Sequence, residues 1–331
     1  MPAHLLPLSR RRFLAGSAAT IAAGPSALIG AGSRVDPSAW ALLSDTHLLS
    51  ADSIQRHYSS SKAEREKRAA DASRNLDVAA RQVNRARPAG MILNGDCVHV
   101  GGRAEYAQLA TKFDLFENTP IHVTMGNHDQ RDDFSQAFRE RTSGDRALLE
   151  NRHVSIVKSR RANFVLLDSL TMDKPRSPVK GPGILGREQL EWLEAALDSE
   201  PDRPIILMFH HNITPSAKYQ QRFGKAEVAL PSSSPFKGFA GGLEDTEALL
   251  DLIRSRPQVK AVVTGHMHQF RIFQWRKIHF ISLPAVGYTF HAAEPPGWAL
   301  MKLGDGGASV ELRTLDTNHK RNRAKANLTW S

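Results

Sequence analysis

Five short polar segments each stand at the end of an apolar run: Asp45-Thr46-His47, Gly95-Asp96, Gly126-Asn127-His128-Asp129, His210-His211 and Gly265-His266-Met267-His268. In an open α/β sheet, the loops that leave the carboxyl ends of strands meet along one rim and form the ligand crevice. Five such segments therefore require a fold that gathers strand ends from across the whole chain. Ordinary turn and cap chemistry after a strand would have to recur independently at all five places to produce the same pattern.

The stretches between these segments fit that requirement. Trp40–Ser44, Gly90–Asn94, Pro120–Met125, Pro204–Phe209 and Val259–Thr264 are the apolar runs, and Val154–Val157 and Phe164–Leu167 read as further strands. Ser61–Ala86, Arg103–Phe116, Phe134–Arg141, Arg187–Leu197 and Glu244–Ile253 carry helix-like patterns. Phe270–Leu283 reads as a hairpin, and Trp298–Leu303 and Ser309–Leu315 as closing strands. Strand–helix alternation followed by β-rich sequence predicts a layered α/β sandwich rather than a helical bundle. Thr214–Gly242, with Pro215, Pro231, Pro235 and the serines 232–234, is an irregular insertion directly after the His210 segment. Its place and length predict a wall or cover for the site.

Composition limits the chemistry. Cys97 is the only cysteine, so no internal disulfide forms and no thiolate cluster can hold zinc. A metal site here must use imidazole, carboxylate and amide groups, and fourteen histidines supply the first. The net charge of +10 belongs to the ends. Residues 1–34 hold four arginines and no acid, and residues 317–331 hold Lys320, Arg321, Arg323 and Lys325 and no acid. Between them, 36 basic residues face 34 acidic ones, too even a balance for a nucleic-acid groove.

Residues 1–34 read as an export signal. Ser9-Arg10-Arg11-Arg12-Phe13-Leu14 precedes a weakly apolar run to Ala31, the order of a charged region followed by an apolar one. The arginine pair followed by Phe13-Leu14 resembles a twin-arginine signal. That export machinery carries folded proteins, which suits an enzyme that takes up its metal before export. Periplasmic or secreted location follows, with no stable membrane span once the signal is removed. A retained anchor or a plain basic terminus are the alternatives. Residues 35–316 are expected to form the domain and 317–331 a solvated basic tail.

Taken in order, D-x-H, G-D, G-N-H-D, H and G-H-x-H resemble the calcineurin-like metallophosphoesterase superfamily over Ala39–Leu315. The G-N-H-D run with Arg131 behind it, and the pair His210-His211, are most similar to its cyclic-nucleotide phosphodiesterase branch. The resemblance implies a four-layer α/β/β/α sandwich of two mixed sheets flanked by helices. It also implies a hydrolase that uses a hydroxide bridging two divalent metal ions. It assigns Asp45, His47 and His268 to the first ion, Asn127, His210 and His266 to the second, and Asp96 to both, one carboxylate oxygen for each. Two divalent ions less two carboxylates and a hydroxide leave the site about one unit positive towards a phosphate anion, and paired ions clamp attacking and leaving oxygens in line. Without thiolate donors the ligand set suits Mn, Fe or Zn; with folding before export, cytoplasmic supply decides, and Mn or Fe is expected with Zn the alternative.

The resemblance places His128 at the leaving-group oxygen as a proton donor, with Asp129 orienting it or its loop. Three further residues are candidate substrate contacts. His99 stands where many relatives carry an acid, with loop capping as its other role. Arg131 is a candidate for phosphate, or else a helix-start charge paired with Asp132 or Asp133. His211 either points at substrate or packs. Cys97 is expected to be a small buried hydrophobe, and Trp192, Trp275 and Trp298 core residues. The function expected is phosphoester hydrolysis of a small-molecule substrate, on diesters of cyclic-nucleotide type. A phosphomonoesterase of the same mechanism is the nearest alternative, and a nuclease or a non-catalytic binding module are more distant ones.

Overall fold

A computed structural model describes residues 4–5, 35–56, 61–139, 149–150, 152–171, 181–224, 227–228 and 241–330. Most of the expected signal and part of the 214–242 insertion lie outside these residues. In chain order the elements are β1 (His4–Leu5), β2 (Asp36–Leu43), α1 (Ala51–Arg56), α2 (Lys62–Ala86), β3 (Pro88–Asn94), α3 (Arg103–Phe113), β4 (Ile121–Thr124) and α4 (Arg131–Ala137). Then follow β5 (Ser155–Lys158), β6 (Asn163–Leu166), α5 (Arg187–Ser199), β7 (Ile205–Met208), α6 (Ala217–Phe223), β8 (Glu227–Val228) and α7 (Thr246–Ile253). The chain closes with β9 (Val259–Thr264), β10 (Arg271–Trp275), β11 (Ile278–Ser282), β12 (Gly297–Leu303), β13 (Gly307–Thr314) and β14 (Lys325–Thr329).

Two seven-stranded sheets result, ordered β1-β4-β3-β2-β12-β13-β14 and β5-β6-β7-β9-β11-β10-β8. Both are mixed. β2, β3 and β4 run parallel in the first, and β6, β7, β9 and β11 in the second. Side-chain alternation explains the layering, because successive strand residues face opposite sides. Trp40 and Leu42 of β2 meet Phe164, Ile206 and Val263 between the sheets, whereas Ala41 and Leu43 pack outward against Leu76 and Val83 of α2 and Leu109 of α3. On the second sheet, Leu207 and Val262 face Leu193 and Leu197 of α5 and Leu250 of α7. The strands are apolar on both faces because both faces are covered. This is the four-layer α/β/β/α sandwich expected from the sequence.

Local signals set the element ends. α2 begins with a capping box, in which Glu64 N–H donates to Ser61 Oγ (3.2 Å) and Ser61 N–H donates to Glu64 Oε2 (2.8 Å). It ends at Arg87 in the left-handed region (φ 48°), directly before Pro88. Arg276 and Lys277, both at positive φ, turn β10 into β11.

Two expectations change. Of the expected tail 317–331, the described residues 317–330 are not loose, since β14 pairs with β13 from Gly307↔Thr329 to Glu311↔Lys325 and Leu328 is buried between the sheets. Arg321 donates to the Phe270 carbonyl (2.9 Å) and pairs with Glu294. Lys320, Arg321 and Arg323 lie in the turn before β14, and the strand behind them is short and half polar, so the sequence shows the charges and hides the sheet edge. The described part of the insertion also has regular structure, α6 and β8, rather than a bare loop. Among the described residues no helix is long and apolar enough to cross a membrane.

Candidate metal centre

Every expected ligand follows the carboxyl end of a parallel strand: Asp45 and His47 after β2, Asp96 after β3, Asn127 after β4, His210 after β7, and His266 and His268 after β9. Within each sheet the loops stay tied to one another at this rim. Asp45 N–H donates to the Gly95 carbonyl (3.1 Å), His47 N–H to that of Asp96 (3.0 Å), and Gly265 N–H to that of His210 (2.9 Å). Gly95 (φ 80°) lies against His210, and a Cβ there would come 2.5 Å from His210 Nδ1. The Gly in G-D is therefore required by the approach of the second sheet.

Five of the ligands adopt the left-handed backbone region: Asp45 (φ 54°), His47 (44°), Asp96 (48°), His266 (67°) and His268 (50°). L-residues reach that region at a cost of roughly 1–2 kcal/mol each. In D-x-H and again in G-H-x-H the left-handed turns aim two side chains at one centre, although neighbours two apart in a loop have no fixed relation. Strain of this kind concentrates at functional sites where the surrounding structure imposes it.

The side chains converge as two groups. Asp45, His47 and His268 bring their ligand atoms within 4.8 Å of one another, as do Asp96, His210 and His266. His47 Nε2 and His268 Nε2 face each other at 3.1 Å, with Asp45 Oδ1 3.1 Å from the latter. Asp96 Oδ2 lies 3.5 Å from His47 Nε2 and 3.2 Å from His210 Nε2, so this one atom is common to both groups. Its partner Oδ1 accepts the His128 N–H (2.9 Å). The expectation of one oxygen per ion is thereby corrected: a single oxygen faces both groups, because the backbone of the G-N-H-D turn occupies the other. Asn127 adds a buried amide oxygen from the same turn, whose Gly126 packs on Asp96 and the His210 ring.

The remaining atoms of these side chains are held by the frame. Asp45 Oδ2 accepts the Ser44 hydroxyl (2.5 Å) and the His266 N–H (3.2 Å). His210 Nδ1–H donates to the Asn94 carbonyl (2.9 Å) and His268 Nδ1–H to that of Tyr288 (2.7 Å). Each bond leaves Nε2 turned towards the centre, as a ligating imidazole requires. These carbonyls and Ser44 carry no signal in the sequence, since any residue supplies a carbonyl.

Electrostatics agree with a cation site. Burial pushes the Asp45 and Asp96 carboxyls up, yet the histidines beside them hold both below the usual carboxylate range. Burial likewise opposes a charge on His210, but Asp96 and Asp45 raise it to about 10. Burial lowers His47 to about 4 and His266 to about 3, keeping both as neutral donors. Buried Asp45 Oδ1 and His210 Nε2 make no hydrogen bond. Two buried carboxylates, a cluster of inward imidazole nitrogens and, among the described residues, no lysine or arginine paired to either acid fit a pair of divalent cations.

The other candidates separate by geometry. His128 stands at the rim with Nδ1–H donating to the His99 carbonyl (2.6 Å), its ring edge-on to His47 at 4.7 Å. The Asp129 carboxylate makes its hydrogen bonds to groups other than the His128 ring. It accepts N–H groups of Gly126 (3.0 Å) and Cys97 (3.2 Å) and the Tyr106 hydroxyl (3.1 Å), so it ties the Asn127 turn to the Asp96 turn. Burial raises its pKa to about 7. Tyr106, whose oxygen also accepts the Gln130 N–H (2.7 Å), was not singled out by the sequence and reads there as a helix core residue.

His99 caps no loop. Its Nδ1 lies 3.3 Å from His47 Nδ1, and its ring stacks on His128 at 4.9 Å. Arg131 pairs neither with Asp132 nor Asp133 nor with the rim; it grips buried Asp168 through Nε (2.6 Å) and Nη2 (2.8 Å). His211 is buried with Nδ1 2.8 Å from Ser169 Oγ and belongs to neither ligand group. From the insertion, Gly241 (φ 102°) reaches the centre, where a Cβ would come 3.4 Å from His266 Nε2. Cys97, Trp275 and Trp298 are buried and Trp192 packs against the core, as expected.

Residues 41–270 match the calcineurin-like phosphoesterase family. A probable cyclic nucleotide phosphodiesterase of Rhodopseudomonas palustris is 30% identical, over 69% of this chain and 79% of that protein. A probable glycerophosphodiester phosphodiesterase of Arcobacter nitrofigilis is 28% identical, over 58% of this chain and 61% of its own length. A 3',5'-cyclic adenosine monophosphate phosphodiesterase of Pseudomonas aeruginosa is also 28% identical, with 60% of its length covered. The chain thus spans about three fifths of the length of these last two. A dimetal phosphatase from Danio rerio shares the fold, with TM-score 0.62 at 16% identity over 89% of this chain and all of that one. With the matched segment covering more than half of its length and both ligand groups inside it, this chain belongs to the calcineurin-like phosphoesterase family.

Proposed function

We propose that the protein is a metal-dependent phosphoester hydrolase that acts on small phosphodiesters. The observation that carries the reading is the pair of buried Asp/His groups sharing Asp96 Oδ2. Relatives named as phosphodiesterases support the diester preference. Asp45, His47, His268 and Asp96 would hold one ion, and Asp96, Asn127, His210 and His266 the other. When bound, such a pair supplies Lewis acidity towards a phosphoryl oxygen and lowers the pKa of water. Donors of nitrogen and oxygen alone suit Mn, Fe or Zn, and uptake in the cytoplasm before export favours Mn or Fe in this reading.

The chain's own groups supply the rest. His128, fixed through Nδ1–H to the His99 carbonyl, offers Nε2 to hold a proton at the leaving-group oxygen. Asp129 and Tyr106 keep the turns of Asn127 and Asp96 in register. We also read residues 1–34 as a twin-arginine signal, with the periplasm or exterior as destination. Arg10-Arg11-Arg12-Phe13-Leu14 and the apolar run behind it support this.

The test is hydrolysis of bis(p-nitrophenyl) phosphate, 3',5'-cyclic AMP and p-nitrophenyl phosphate by Mn-loaded protein. Diester kcat/KM is expected to exceed the monoester value about tenfold. A dominant monoester rate overturns the diester preference, and two bound ions without turnover of any substrate overturn the enzyme.

A further inference from the structure

We infer that His99, which belongs to neither ligand group, is the positioning residue of the metal ligand His47: its ring decides which nitrogen His47 offers to the first ion. This rests on the metal-dependent hydrolase reading and deepens it. His99 reaches His47 because the chain resumes its parallel pairing beyond the ligand turns. Leu48 and Val98 form a parallel bridge after β2 and β3, and the His99 N–H donates to the Leu48 carbonyl (2.9 Å). The far side of the loop is pinned by buried Glu105, whose Oε2 accepts the N–H groups of Val100 (2.9 Å) and Gly101 (3.0 Å).

Three imidazoles meet here. The His99 ring lies 5.4 Å from that of His47 at 67° and stacks on His128 at 24°. Towards His47, Nδ1 faces Nδ1 at 3.3 Å. A neutral imidazole carries one proton, on one nitrogen or the other. His47 Nε2 is turned to Asp45 Oδ1 (3.7 Å), Asp96 Oδ2 (3.5 Å) and His268 Nε2 (3.1 Å). A ligating His47 therefore keeps Nε2 unprotonated and carries its proton on Nδ1, which donates it to His99 Nδ1. The same residue's carbonyl accepts His128 Nδ1–H (2.6 Å), so the ligand and the proton donor are held by one loop position.

Two other ligands are held differently. His210 and His268 donate from Nδ1 to the backbone carbonyls of Asn94 and Tyr288, and no substitution removes a carbonyl. His47 depends on a side chain, and among the described residues its Nδ1 has no other hydrogen-bond partner. Without that acceptor the Nδ1–H is left unpaired in a buried place, and the competing tautomer puts a proton on Nε2, where it faces the ion. Outer partners of a metal-bound histidine are worth about 10–100-fold in metal affinity. The cost of losing His99 is thereby placed on the first ion, which Asp45, His47 and His268 would hold, and not on the second.

The acceptor can be removed while the backbone carbonyl stays. In the full-length chain, His99→Leu keeps bulk without an acceptor, and His99→Asn places Oδ1 on the branch that carries Nδ1. His99→Ala repeats the comparison where leucine unfolds the protein. Calorimetry and metal analysis with Mn, in the absence of substrate, measure both ions. His99→Leu is expected to bind one ion about 10–100-fold more weakly and to keep the other, while His99→Asn stays within about threefold of wild type at both. Unchanged affinities in His99→Leu and His99→Ala overturn the inference. An equal loss at both ions, or in His99→Asn the same loss as in His99→Leu, overturns it as well, since either marks a general loosening of the loop. A third ion in wild type that disappears in His99→Leu also overturns it, by making His99 a ligand. Failure of wild type to turn over any diester while the selective loss in His99→Leu holds would instead overturn the hydrolase reading alone.

Discussion

Replacing Arg131 by methionine separates a structural cation from a substrate-binding one. Asp168 is fully buried, and Arg131 gives it two charge-assisted bonds of 2.6 and 2.8 Å. In Arg131→Met the carboxylate keeps the N–H groups of His153 (2.9 Å) and Leu170 (3.0 Å), and Arg152 still donates to the Leu170 carbonyl (3.1 Å). Removing one partner of a buried pair costs about 3–5 kcal/mol. The surviving bonds place this case near 3 kcal/mol, and methionine retains the apolar volume. Burial pushes Asp168 up and Arg131 outweighs it, holding the carboxyl below its usual value. That contribution is present above the unfolded carboxyl pKa and is lost as pH falls through the folded one. The deficit of the variant should therefore be largest near neutrality and shrink in acid. Urea unfolding at pH 7 should show a lower midpoint at constant slope, with Tm down by about 6 °C or more and KM within twofold of wild type. A stability change under about 1 kcal/mol with a tenfold rise in KM would refute the reasoning and return the guanidinium to the substrate.

Metal loading should release protons. With His210 raised to about 10 by Asp96 and Asp45, an ion must displace its proton at neutral pH. Affinity should thus rise with pH, and calorimetry in buffers of different ionisation enthalpy should find about one proton freed; buffer-independent heats would contradict this. Chelation should lower Tm, since ion at about 1,000 times its Kd stabilises by about 4 kcal/mol. His153, lowered to about 4 by burial, is neutral when folded and takes up a proton when unfolded below its usual 6.5. Stability should fall by up to about 3 kcal/mol between pH 6.5 and 4, and His153→Gln should flatten that slope in urea melts. Gly241→Val puts a side chain at φ 102° against His266 Nε2, so metal analysis should find the second ion lost; two retained ions would show that the loop yields.

Much of the centre was legible because its chemistry is carried by residue type and position. Asp45, His47, Asp96, Asn127, His210, His266 and His268 had to lie where strands end. The alternation of apolar runs with helical stretches dictated a layered α/β fold, in which such ends converge. What the tertiary structure alone decided concerns groups that look the same in any sequence. Backbone carbonyls of Asn94 and Tyr288 orient His210 and His268. The His128 N–H takes Asp96 Oδ1 and leaves one oxygen, not two, to face both groups. Arg131 turned from the rim to Asp168 because a buried carboxylate 37 residues away needed a cation, and Lys325–Thr329, behind the basic run, became β14 because β13 offered it an edge. Local sequence fixes which atoms are available and the period in which they alternate. Which of them meet depends on long-range packing between sheets, where burial decides whether a charge must be paired and by whom.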